Sequence, residues 1–158
     1  MIEELLSLLP PELIEALKNC EQDKRWHGEG SVYNHTVLVM QELEKLNASK
    51  DLLIAAIFHD TGKLETTSRA FEDGIEKIHH YNHEVHSKNF IDKFLHLYYN
   101  YIMDEKCIRE VVKEHMRAHK YVSEEMSNKN KRKSFENLPY FNDIITFTTC
   151  DALGSRRE

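Results

Sequence analysis

The chain has 158 residues and a formal net charge of -6, and its 41% apolar and 30% charged residues are typical of a soluble domain. The acidic balance argues against a surface wholly devoted to nucleic acid, and no apolar run is long enough to span a bilayer. The length favours a single domain over 1–158, with helices over 1–22 and a motif-bearing core over about 31–155.

Glycine and cysteine usage narrow the class of protein further. Only five glycines and three prolines occur, which favours helices over many short strands joined by turns. Cys20, Cys107 and Cys150 form no CxxC pair, and their odd number argues against a disulfide framework. The N-terminus carries acidic residues and does not resemble a signal peptide. We therefore expect a cytoplasmic protein in a reducing compartment.

Apolar spacing predicts helices through the first part of the chain. "MIEELLSLL" and "PPELIEALKNC" predict two short amphipathic helices, and the polar loop that follows ends at Ser31, a predicted N-cap. Apolar residues recur at helical spacing over 32–46, which predicts a helix that carries His35. The next predicted helix begins after Ser49 and stops before Gly62.

Mixed polarity over 61–82 predicts a long loop, in which an "EDG" turn signal allows a short strand pair. Helices are predicted to begin at His83, after Asp104 and after Pro139. A solvated, basic connection over 123–134 precedes the last of them. Together these elements predict an all-α helical bundle with no convincing sheet.

The stretch "AAIFHDTGK" ends an apolar helix with His59 and Asp60. Gly62 and Lys63 suit an ordinary helix end, but two adjacent polar groups are costly to bury without partners. Further histidines and a carboxylate fall on or against other predicted helices: His35, His83, His115 and Asp151. Imidazole and carboxylate together suit divalent transition metals, so a metal ion would satisfy this set.

The ordered set resembles the H…HD…D signature of the HD superfamily of metal-dependent phosphohydrolases. The chain is most similar to the HD domain associated with bacterial tRNA nucleotidyltransferases and poly(A) polymerases, through "HDTGKLETT", "EDG", "NHEVHS", "EHMRAH" and "CDALGSRR". The match runs from His35 to Asp151. Nothing in these residues matches a nucleotidyltransferase domain, so the HD-domain helical bundle alone is carried over from the resemblance, and the polymerising activity is not.

The resemblance also implies roles for individual residues. A first divalent ion would be held by His35, His59, Asp60 and Asp151. A second would be held by Asp60, His83 and His115. One ion or two fit the pattern, and Mn, Ni, Co, Fe, Zn and Mg all stay open. Asp60 and Lys63 are the expected catalytic residues, and the candidate phosphate-binding residues are Lys63, Thr67, Arg69 and Arg117, with Arg156 as a further candidate.

Each residue also has a structural explanation. His35 suits a core histidine, Asp151 a salt bridge to Arg156, and Lys63 a helix-end cation. His86 and His119 lie one turn from His83 and His115, and each could replace its neighbour. The remaining histidines have no matched position and are expected at the surface or behind the ligands: His27, His79, His80 and His96.

The resemblance implies a stand-alone phosphohydrolase that acts on nucleotides, cyclic nucleotides or RNA ends through metal-activated water. A different class stays open, in which the domain binds metal and a nucleotide as a regulatory or partner module with little turnover. A third, purely structural interpretation expects no bound metal.

Overall fold

The computed structural model describes residues 1–155, and helices dominate it. Its helices are α1 Ile2–Leu6, α2 Pro11–Lys18, α3 Val32–Lys45, α4 Lys50–His59, α5 Lys63–Thr66, α6 His83–Phe94, α7 Glu105–Val122, α8 Lys129–Glu136 and α9 Phe141–Leu153, with a 3-10 turn over Leu95–Tyr98. The strands are β1 Thr67–Glu72 and β2 Ile75–His80. None of the described helices is both long and apolar enough to cross a membrane.

Side-chain caps fix the starts of the helices that carry the polar motifs. At the start of α3, the hydroxyl of Ser31 accepts a hydrogen bond from the backbone amide of Asn34. At the start of α4, the hydroxyl of Ser49 accepts one from the backbone amide of Leu52. Asp104 caps α7 in the same way. Each bond satisfies one of the amides that a helix start leaves without a partner. The predicted starts of these helices are confirmed.

The central element is α4, which is buried along nearly its whole length. It is apolar on all sides, so it has no face suited to water and packs against α3, α6, α7 and α9. Ile54, Ala55 and Phe58 are fully buried in it. The N-terminal helices join the same core, where the hydroxyl of Tyr98 donates to the carbonyl of Leu5 at 2.8 Å.

The expectation of an all-α fold is wrong in one respect. β1 and β2 form an antiparallel hairpin whose register pairs Thr67 with His80, so the fold is mostly α. The turn residues Asp73 and Gly74 have φ of 54° and 77°, as a two-residue hairpin turn requires. The strand pair that the "EDG" signal allowed is therefore present, and it is largely exposed.

A second correction concerns the connection predicted over 123–134. Residues Lys129–Glu136 form α8, with Asn128 as its cap. The sequence shows no apolar period here, because one aromatic, Phe135, supplies the fully buried contact. Its ring stacks on Tyr121, with the centroids 5.1 Å apart. A single anchor of this kind leaves no periodic signal in the sequence.

Candidate metal centre

Helix ends and helix interiors bring the six predicted ligands to one place. They come from α3, the end of α4, the start of α6, α7 and α9, in the order His35, His59–Asp60, His83, His115 and Asp151. None of the six is more than 6% exposed. Their facing atoms form two groups, each compact enough to hold an ion.

The first group joins α3, α4 and α9. Oδ1 of Asp151 lies 2.6 Å from Nε2 of His35 and 3.2 Å from Nε2 of His59. Oδ2 of Asp60 lies 3.5 Å and 3.1 Å from the same two nitrogens. Two imidazole nitrogens and two carboxylate oxygens therefore converge, a donor set that suits a divalent transition metal.

The second group lies on the other side of the same carboxylate. Oδ1 of Asp60 is 3.0 Å from Nε2 of His83 and 3.6 Å from Nε2 of His115. The two oxygens of Asp60 thus face different groups. This is the arrangement in which one carboxylate can bridge two ions.

The hydrogen bonds behind the rings show that the groups fit a cation. Nδ1 of His115 lies 2.6 Å from the carbonyl of Val112, and Nδ1 of His83 lies 3.2 Å from that of His80. A carbonyl oxygen only accepts, so each Nδ1 carries the proton and each Nε2 of the neutral rings presents a lone pair. These two Nε2 atoms are only 3.1 Å apart. Two facing lone pairs at that distance repel each other unless a cation, either a proton or a metal ion, lies between them.

Electrostatics in the first group also favours a cation. Burial alone would lower the pKa of His59, but the charges of Asp60 and Asp151 raise it above its usual range. Burial would raise the pKa of both carboxyls, but the charge of His59, together with Lys63 beside Asp60 and His119 beside Asp151, holds each pKa well below its usual range. Two ionised carboxylates in a buried space attract positive charge.

A glycine lets the two halves of the site approach each other. A Cβ on Gly62 would lie 1.9 Å from the carbonyl oxygen of His83 and 2.6 Å from the amide nitrogen of Ser87. The Ser87 hydroxyl accepts from the amide of Gly62 and donates to the carbonyl of His59, both at 2.9 Å. The backbones at the end of α4 and the start of α6 therefore approach closely, and the Ser87 hydroxyl links them.

Of the predicted phosphate-binding residues within 1–155, the structure brings only Lys63 to the site. Its ammonium is buried, 3.3 Å from Oδ2 of Asp60, and it also donates to the side chain of Gln22. Thr67 donates to the carbonyl of Lys63 instead of facing the site. Arg69 pairs with glutamates on the exposed side of the hairpin.

The other predicted residues divide between the site and its surroundings. Arg117 pairs with Glu114 outside the site cavity, and Arg156 lies outside the described residues. His86 is half exposed and pairs with Glu65, so it does not replace His83. Nε2 of His119, in contrast, lies 2.6 Å from Oδ2 of Asp151.

Residues of the loop between α2 and α3 were missed as part of the site. The side chain of Glu29, only 2% exposed, reaches Nδ1 of His35 at 3.0 Å and Nδ1 of His27 at 2.8 Å. The side chain of Gln22 accepts a hydrogen bond from the ammonium of Lys63. A loop has no periodicity, so only its unusual polarity beside a predicted ligand helix could have pointed to these residues.

A cavity of about 610 Å³ opens over both groups. Apart from the ligands, its lining mixes cationic, acidic, aromatic and apolar residues, among them Lys63, Lys120, Asp23, Glu125 and Trp26. This volume is within the range of pockets for small molecules. Substrate and water therefore have room beside the ligand atoms.

A comparison with known protein families identifies a domain in this chain. The sequence model described as "HD domain" matches residues 32–143, well over half of the chain. The matched range contains His35, the His59–Asp60 pair, His83 and His115, and it ends before Asp151.

Proposed function

The chain belongs to the HD domain family, whose members are generally metal-dependent hydrolases, and on that premise we propose that it is a metal-dependent phosphohydrolase of nucleotides, cyclic nucleotides or RNA ends. The position of Asp60 is the observation that carries this proposal. One of its oxygens faces His35 and His59, and the other faces His83 and His115. Burying a carboxylate costs free energy, and a structural core does not require one shared between two histidine pairs. The arrangement suits a centre for two ions.

We propose the two ligand sets that the resemblance to the HD superfamily implies. His35, His59, Asp60 and Asp151 would hold a first divalent ion, and Asp60, His83 and His115 a second. When bound, such ions supply an activated water near neutral pH and offset the charge that develops on a phosphoryl group.

The chain's own groups account for binding and orientation. Backbone carbonyls behind His59, His83 and His115 hold each ring with Nε2 directed inward. The buried ammonium of Lys63 is the cation placed to contact a phosphate oxygen, and Gln22 holds it beside Asp60. His119, hydrogen-bonded to Asp151 at the cavity wall, orients that carboxylate.

The cavity and the motifs support a nucleotide-sized substrate. A volume of about 610 Å³ suits a mononucleotide or the end of a chain, and Trp26 supplies an aromatic surface in its lining. The motif resemblance to HD domains associated with tRNA nucleotidyltransferases points to the same class. Three free cysteines are consistent with the reducing, cytoplasmic location that we propose.

Phosphate release tests the proposal directly. Nucleoside 2′-, 3′- and 5′-monophosphates and 2′,3′-cyclic nucleotides would be incubated with Mn²⁺, Ni²⁺, Co²⁺ or Mg²⁺, and the products separated by chromatography. We expect metal-dependent turnover that Asp60→Asn abolishes, because that change removes the shared negative charge. Asp92→Asn, which breaks a surface pair with Arg109, is the matched control and should retain activity.

Circular dichroism would confirm that Asp60→Asn folds. If the wild-type protein binds metal and nucleotide but turns over no substrate, the regulatory-module alternative replaces the enzyme. If it binds no divalent ion at all, the metal centre itself is wrong.

A further inference from the structure

One ligand histidine differs from the others in what lies behind its ring. Nδ1 of His59, His83 and His115 faces a backbone carbonyl three residues earlier, at 2.6, 3.2 and 2.6 Å. These contacts follow from local chain geometry and carry no net charge. Nδ1 of His35 instead lies 3.0 Å from a carboxylate oxygen of Glu29, with the carbonyl of Gly154 at 3.2 Å.

The chain places Glu29 behind His35 by several local features. Gly30 follows Glu29 with φ of 97°, a backbone conformation that residues with a side chain rarely adopt. The turn at Gly30 leads the loop into the start of α3. The side chain of Asn34, one residue before His35, donates to the carbonyl of Glu29 at 3.1 Å. The Glu29 side chain is 2% exposed, and its Oε1 also accepts from Nδ1 of His27. The carboxylate is therefore fixed in position before any ion binds.

We propose that Glu29 is a positioning residue that holds His35 with its proton on Nδ1 and strengthens Nε2 as a ligand of the first ion group. This inference rests on the proposed metal centre. A carboxylate behind an imidazole fixes the ring and its tautomer and makes the other nitrogen a stronger donor, and loss of such a partner typically weakens metal affinity about 10- to 100-fold. Glu29 acts through His35, a ligand of the first group, so we expect its effect to be confined to one ion.

The same residues have an alternative interpretation that the test must address. Glu29, His27 and His35 are close enough to form a third ion site. An ion there would have to replace the two hydrogen bonds that converge on Oε1 of Glu29, at 2.8 and 3.0 Å. It would also use the side of His35 that faces away from Asp60 and Asp151. Hydrogen bonding explains both distances without an added ion.

Calorimetric titration with Mn²⁺ of the metal-free, full-length protein measures the effect without relying on activity. We expect Glu29→Gln, which keeps the shape but removes the charge, to weaken one binding event, that of the first ion group, about 10- to 100-fold and to leave the other unchanged. The visible absorption bands of bound Co²⁺ should shift in the same variant, because they report the donor strength at the ion. A role in folding alone would change neither.

Glu84→Gln is the matched control, since Glu84 lies 3.8 Å from Nδ1 of His83, beyond hydrogen-bonding distance. It should titrate like the wild-type protein. If Glu29→Gln fails to fold by circular dichroism, Glu29→Asp provides the test. It keeps the charge but moves it away from His35, and one of the two binding events should still weaken.

Three results would overturn the inference. Wild-type affinity in Glu29→Gln would mean that the Gly154 carbonyl alone orients His35. Equal weakening of both events would indicate a general effect of charge or folding. A third binding event that Glu29→Gln removes would favour an ion site at Glu29 itself. Absence of any binding by the wild-type protein, in contrast, would show that the proposed function has failed and not only the role of Glu29.

Discussion

The hydrogen bonds around His80 fix the protonation state of a side chain at the cavity wall. The Thr67 hydroxyl donates to the carbonyl of Lys63 at 2.6 Å, so it must accept from Nδ1 of His80 at 3.0 Å. Nε2 of His80 is then left without a proton. That atom is buried, with no protein partner among residues 1–155. Burial, and to a lesser extent the nearby charge of Lys63, lowers the pKa of His80 to about 4.

This lowered pKa predicts a pH dependence of stability. Between pH 6.5 and 4 the unfolded chain binds a proton at His80 and the folded protein does not. Proton binding therefore favours the unfolded chain, and the free energy of unfolding decreases as the pH falls. We expect the metal-free wild-type protein to lose roughly 1 to 3 kcal/mol relative to His80→Gln across that range. Urea unfolding with a chelator present, repeated at several pH values, measures the difference. Parallel curves for the two proteins would refute the assignment.

At the scale of elements, the junction of α4 with α6 depends on Gly62. An added methyl would meet the backbone of His83 and Ser87, and backbone cannot yield as a flexible side chain can. We predict that Gly62→Ala lowers the free energy of unfolding by about 1 to 3 kcal/mol and displaces His83 from the second ion group.

Urea denaturation and metal titration would measure both effects of Gly62→Ala. Gly74→Asn is the control, because a Cβ at Gly74 meets nothing within 4 Å and asparagine tolerates the positive φ there. Equal stability of Gly62→Ala and the wild-type protein would show that the two helices can separate without cost.

The β1–β2 hairpin is tied to the rest of the molecule through its outer edge. The amide of Ile78 donates to Asp23 at 3.1 Å, and the guanidinium of Arg25 holds that carboxylate at 2.7 Å. Exposed pairs such as Arg69 with Glu21 contribute little by comparison.

We predict that Asp23→Ala speeds hydrogen exchange at the amide of Ile78 by about 10- to 100-fold, because a hydrogen bond to a charged group is worth about 1.5 to 3 kcal/mol. Hydrogen-exchange mass spectrometry of the peptide that covers β2 would record the change. Arg69→Gln should leave it nearly unaffected. Slow exchange in Asp23→Ala would mean that other contacts hold the hairpin.

The sequence predicts those elements that show a regular spacing of apolar residues or a cap residue next to the helix start. The helices with caps at Ser31, Ser49 and Asp104 were predictable because cap and apolar face agree. α8 was not, since its helix depends on one buried ring, that of Phe135. Glu29 was not either, because its role arises only when a loop folds back on α3.

For the molecule as a whole, we propose that residues 1–158 act as one domain. Leu5 and Leu17 of the N-terminal helices are buried in the same apolar cluster as Phe58 of α4 and Phe147 of α9. An ion bound between α3, α4 and α9 should therefore stabilise the entire fold and not one part of it.

This coupling predicts a large thermal shift. At a free ion concentration of about 100 Kd, binding adds about 2.7 kcal/mol, which raises Tm by about 5 to 11 °C for a protein of this size. Scanning fluorimetry with Mn²⁺ or Co²⁺, reversed by a chelator, would measure it. Asp60→Asn should show a much smaller shift. An unchanged Tm in the wild-type protein at saturating metal would contradict a preformed centre.

The close approach at Gly62 has a consequence for the cavity above the ligands. Because the Ser87 hydroxyl bonds the backbone at both Gly62 and His59, we expect the end of α4 and the start of α6, which form the floor, to move together. Part of the wall is formed by the hairpin and the loop before α3, which are attached to each other through Asp23, and part by the end of α7. The hairpin is largely exposed, so we expect the cavity to adjust to a bound molecule on that side while the ligand groups stay in place.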